Sequence, residues 1–177
     1  MSAPSSARDN LWRQARAVSE ESPLEAARIA SELMNSTNSA GVQEELVRSV
    51  LTILSDPAVL ECKHALCSFI ADISRHPSSP ACLMLMGEGV TILANQMLNG
   101  DNSCRAHATQ ALMNLGRSPV FHPEVVVALV GILRDVEAPP AIKTNACRAL
   151  HVVSFYDDGK EIINIGAVTD VVLAMSQ

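Results

Sequence analysis

Aromatic side chains make up only 3% of this 177-residue chain: one Trp, one Tyr and three Phe. Stacking platforms for single-stranded nucleic acid are built from such rings, so that function is poorly supplied. Basic residues are also few. Thirteen Lys and Arg against 19 Asp and Glu leave a net charge of −6, with no run of Lys or Arg. An electrostatic footprint for nucleic acid is disfavoured. No apolar stretch reaches the roughly 18 residues of a membrane span. The opening MSAPSSAR lacks the apolar centre of a secretion signal. Glycine-rich phosphate loops, a Ser-centred elbow and a His-Glu-x-x-His helix are all missing. Neither an enzyme nor a cofactor is expected. Five cysteines form an odd set, read as reduced thiols of a cytoplasmic or nuclear protein.

What the chain does have is a repeat. One helical register recurs as Ala26/Ile29/Ala30/Leu33, Leu66/Phe69/Ile70/Ile73, Ala108/Ala111/Leu112/Leu115 and Ala146/Ala149/Leu150/Val153. Its central residues fall at 30, 70, 112 and 150, spaced by 40, 42 and 38 residues. The three stronger copies predict helices over 60–74, 103–116 and 143–155, and the weaker one a helix over 23–35. A helical period near forty residues points to a solenoid, whose usual product is an extended binding surface.

A second class of helix alternates with the first, beginning at Gly41, Gly89, Glu124 and Gly166. Each shows paired apolar residues at the period of a buried helix. Short helices are expected at 81–86 and 160–165, with no room for one between Arg117 and Pro123. Pro57, Pro77, Pro80, Pro119, Pro123, Pro139 and Pro140 are assigned to loops, since proline interrupts a helix interior. Near the beginning, Leu11, Trp12, Ala15 and Val18 sit at helical spacing and predict an amphipathic first helix.

Gly166 to Met175 resembles the second-helix pattern of the armadillo repeat, and Gln110-Ala111-Leu112-Met113-Asn114-Leu115 its third-helix core. The resemblance spans roughly residues 20–177, with HEAT repeats the close competitor. It implies an all-α, right-handed solenoid of about four armadillo-like repeats, incomplete at both ends. Residues 1–8 then form a disordered tail, and 9–177 a single armadillo-like helical repeat domain. It also implies a protein–protein interaction scaffold or adaptor that uses its concave face. The alternatives are a co-chaperone or exchange factor clamping a folded partner, and a nuclear transport or cargo receptor. Where importin-like and catenin-like members carry Trp, this chain has Arg28, Ser68, Gln110 and Arg148. Where they carry Asn, it has Glu32, Asp72, Asn114 and Val152. The nuclear-signal ladder is essentially absent.

Those positions still make a row. Side chains four apart share a helix face, so Arg28/Glu32, Ser68/Asp72 and Gln110/Asn114 pair, and Arg148 continues the series. On stacked third helices they form a polar ladder of mixed charge, suited to extended peptide main chain or a polar partner helix. A merely solvated helix face produces the same pattern.

Other residues invite chemistry and are better read as structure. Cys104/His107, Cys147/His151 and Cys62/His64/Cys67 have spacings that allow shared metal ligation. However, Cys67 and Cys147 occupy one repeat column and Cys62 and Cys104 another, which fits small buried fillers and no metal. Asp157-Asp158 beside Gly159 reads as a solvated turn. Met84, Met86, Met97 and Met113 read as core. At the far end Val168, Val171, Val172 and Met175 would leave an apolar stripe partly open. Further repeats, a partner or self-association would cover it.

Overall fold

The computed structural model describes residues 40–55 and 63–166, and within them the chain is all-helical, with no strand. Eight α-helices follow one another. They are α1 (Ala40–Ser55), α2 (Lys63–Ile73), α3 (Pro80–Leu83), α4 (Glu88–Asn99), α5 (Asn102–Leu115), α6 (His122–Arg134), α7 (Pro140–Val153) and α8 (Asp157–Gly166). A single 3-10 turn, Pro119–Phe121, joins α5 to α6. It fills the interval where no helix was expected and drives Phe121 fully into the core.

Prolines mark where helices begin. Pro80, Pro123 and Pro140 each occupy the first turn of a helix. There the missing N–H has no intrahelical acceptor to lose and the fixed φ suits the helix. Placing Pro80, Pro123 and Pro140 in loops therefore misses the first turns of α3, α6 and α7; α7 begins at Pro140, not at Lys143. Other starts are capped by side chains. Asp101 Oδ1 accepts from Cys104 N at 2.8 Å, and Ser79 Oγ accepts from Cys82 N at 3.2 Å. The Cys104 N–H holds the Asp101 carboxyl below its ordinary range.

The repeated register is the core. In the three described copies, all twelve register positions are buried, and Ala108, Ala111, Leu112 and Leu115 are wholly inaccessible. The copy at 26–33 and the amphipathic segment at 11–18 lie outside the described residues, as does the apolar stripe at 168–175. Of the four methionines expected in the core, Met97 is fully buried and Met84 and Met113 half-buried. Met86 instead sits on the surface, 42% exposed.

Backbone geometry repeats as closely as the side chains. At the exits of α2, α5 and α7, N–H groups of Ser74, Gly116 and Ser154 bond the carbonyls of Ile70, Leu112 and Leu150 at 2.9, 2.9 and 3.0 Å. One residue on, Arg75, Arg117 and Phe155 bond Asp72, Asn114 and Val152 at 3.2, 3.2 and 3.3 Å. Three helices thus end in the same turn.

The helices lie in two rows that also pack on each other, α4 against α5 and α6 against α7. α5 lies against α2 and α7, whereas α4 lies against α1 and α6. Each group is tied by a buried amide reaching one repeat back. Asn114 Nδ2 on α5 donates to Ala71 O at 3.2 Å, and Gln96 Nε2 on α4 donates to Leu54 O at 3.3 Å. Both acceptors belong to the last turn of a helix, where carbonyls lack intrahelical donors.

α8 is held differently. His122, fully buried at the start of α6, places Nδ1 2.9 Å from Asp158 Oδ2 and Nε2 3.1 Å from Gly116 O. Its ring also packs 5.1 Å from that of Tyr156. Asp157 and Asp158 are therefore the first turn of a helix and not a solvated turn. Acidic residues suit that end of the dipole. Gly159 is needed for closeness: a Cβ there would collide with the Val153 carbonyl and come within 2.7 Å of its side chain.

Leu112→Ala and Leu150→Ala should each lower stability by about 2–5 kcal/mol, as large cavities do in a well-packed core. Ala108→Leu should cost about 1–3 kcal/mol through overpacking. Urea melts monitored by circular dichroism test the register directly, and three near-neutral results would refute it.

Candidate functional site: the outward face of the α2, α5 and α7 helices

The central buried residues Ile70, Leu112 and Leu150 fix which positions look outward. Positions six before, two before, one after and five after each centre fall on one helix face, at spacings of four, three and four. On α2 and its exit these are His64, Ser68, Ala71 and Arg75. On α5 they are Ala106, Gln110, Met113 and Arg117, and on α7 Thr144, Arg148, His151 and Phe155. Ala71 is buried under its neighbours, and the other eleven are half-buried or exposed.

The ladder expected from sequence splits at this point. Ser68, Gln110 and Arg148, two before the centre, do stand on the outward face, with Ser68 half-buried. The column two after the centre does not stay there. Asp72 is exposed at the margin, but Asn114 is only 3% accessible and Val152 half-buried. Asn114 was expected to meet a partner; its amide is instead consumed inside the protein. Nδ2 donates to Ala71 O and to Ser74 Oγ at 3.1 Å, and Oδ1 accepts from Gln110 Nε2 at 3.0 Å. The cause is packing, because this side of α5 is where α2 lies. Arg28 and Glu32 lie outside the described residues.

Charge on the face also departs from the expected mixture. None of the twelve outward positions is Asp or Glu, while Arg75, Arg117 and Arg148 are all exposed. Asp72 sits beside the face and pairs with Arg75 at 3.2 Å, both side chains roughly two-thirds in solvent. Such a pair is worth little and opens easily. At one end Phe155 is 69% exposed and leans on His151, ring centroids 4.7 Å apart. Sequence reasoning missed Phe155 and Arg117. Their shared column with Arg75, five after the centre, was the available signal.

A groove lies on the other row of helices. Val90, Ala94, Leu98, Val127, Ala128 and Ile132 line an apolar groove of about 560 Å³ between α4 and α6. Asn95, Glu124 and Asp135 also line it. Val127 is 72% exposed there, and a side chain at Gly131 would meet nothing within 4 Å. Glu124 is partly engaged, accepting from Gly87 N at 2.6 Å.

The thiols take no part in either surface. Cys67, Cys82 and Cys104 are free and buried, and Cys147 is free and half-buried. Burial raises all four pKa values, with Cys82 pushed up to about 12. Among the described residues no three His, Cys, Asp or Glu side chains converge as a metal site, and no single helix is long and apolar enough to cross a membrane. No family model, curated protein or solved structure matches the chain.

Two outcomes follow from this geometry. Asn114→Ala should cost about 1–3 kcal/mol of stability, because buried partners lose their donor; an unchanged melt would return Asn114 to the binding face. Native protein at neutral pH should react slowly with Ellman's reagent at Cys67, Cys82 and Cys104, since thiolate is the reactive form. Peptide mapping of labelled protein should find Cys147 the first of the four to be modified.

Proposed function

We propose that this chain is a non-catalytic scaffold or adaptor, an armadillo-like solenoid of about four repeats that binds a protein or extended peptide. The outward face of α2, α5 and α7 is the binding surface. One observation supports the reading: three helices of one register bury equivalent columns, end in equivalent turns and so bring equivalent positions to the outside. A surface repeated at regular intervals matches a partner that is itself regular, as extended main chain is. Gln110 contributes to this, because the bond to Asn114 uses one amide hydrogen and leaves Oε1 to accept. Exposed Phe155 and half-buried Met113 add apolar contact. The groove between α4 and α6 is the rival surface, and it lacks repetition across the helices.

Site-specific photo-crosslinking in cell extract distinguishes the two surfaces. A photoreactive residue at Gln110 or Arg148 should give discrete adducts, while the same residue at Val127 should not. Adducts from Val127 alone would move the interface to the groove, and none from Gln110 or Arg148 would end the proposal.

A further inference from the structure

We infer that the partner of this face is an acidic extended segment bearing an apolar side chain at one end. The inference rests on the reading of α2, α5 and α7 as the binding surface and adds the chemistry of what binds.

Charge is sorted between the two groups of helices. Over 63–76, 101–117 and 140–156, Lys63, Arg75, Arg105, Arg117, Lys143 and Arg148 outnumber Asp72 and Asp101. Over 44–55, 88–99 and 122–137, the balance inverts: Glu44, Glu88, Glu124, Asp135 and Glu137 stand against Arg48 and Arg134. A chain of net charge −6 therefore presents one positive side. Within that side the outward positions carry arginine and no carboxylate. Opposed fields of this kind steer a negative ligand to one face and repel it from the other.

Arginine adds more than sign. Its planar fork binds carboxylates with two parallel hydrogen bonds, and it is weakly hydrated, so little is lost on contact. Arg75 and Arg117 share the column five after the centre, at the exits of α2 and α5, and Arg148 stands on α7 in the column two before it; Arg75 becomes available once Asp72 releases it. With helix axes about 8–10 Å apart, three helices are crossed by about seven residues of extended chain. Phe155 closes the row at the α7 end, where its exposed ring calls for an apolar partner.

The test uses the full chain and two fluorescein-labelled peptides of about ten residues, length set by that crossing. One alternates Glu with Ser and ends in Leu; the other carries Lys for every Glu. Anisotropy should rise with the acidic peptide and stay flat with the basic one. Arg117→Glu and Arg148→Glu should each weaken binding about fivefold, and salt should weaken it further. Lys160→Glu, a basic residue on α8, should leave it unchanged. Asp72→Asn should tighten it by freeing Arg75, a gain that a purely structural role for Asp72 would not produce. Circular dichroism confirms that each variant is folded. Binding of the basic peptide, failure of the acidic one at millimolar concentration, or equal loss in Lys160→Glu would each overturn the inference. If the acidic peptide fails while Gln110 still crosslinks a partner in extract, the surface stands and only its charge preference falls. If both fail, the surface falls too.

Discussion

Helices stacked side by side bury their own ends, and every buried terminal carbonyl needs a donor from somewhere else. In this protein local donors serve most of them, Ser74 Oγ bonding Ala71 O at 2.7 Å, and the following repeat adds one more. Asn114 serves the end of α2, and Gln96 serves the end of α1, each across a gap of about one repeat in sequence. Each such buried bond contributes about 0.5–1.5 kcal/mol, so the two amides add what apolar packing cannot. They also set register. Apolar columns alone would tolerate sliding one helix along another, whereas a hydrogen bond at 3.2 Å does not.

Register is what makes the outer face coherent. Because Asn114 holds α2 and α5 in step, positions equivalent in sequence become neighbours in space. The cost of this order is that one column is used up internally. Asn114, Ser74 and Ala71 belong to the joint between repeats, and the outside is left to the columns that do not face a neighbour. The charge pattern follows the same division. Arginines are found where the face is open, and Asp72 occurs where the face turns toward the joint.

The helical periods and the buried register could be read from sequence because small and large apolar residues alternate with a fixed spacing. Three of the four copies lie in the described residues, and all are buried as that spacing requires. Helix starts were harder, since Pro123 and Pro140 look like breakers until they are placed in a first turn. The face was half legible. Gln110 and Arg148 follow directly from the column two before the centre, but polarity alone put Asn114 outside. Its reason for being inside is a carbonyl 43 residues away, which no local pattern reveals. Asp158 misled in the same way, because its partner His122 stands 36 residues earlier.

His122 joins three segments that are distant in sequence: the exit of α5, the beginning of α6 and the first turn of α8. A ring shared in this manner makes their energies interdependent. Losing Asp158 alters the environment in which the bond to Gly116 O is made. Substitutions at these sites will therefore not sum, as is general for residues within one bonded network.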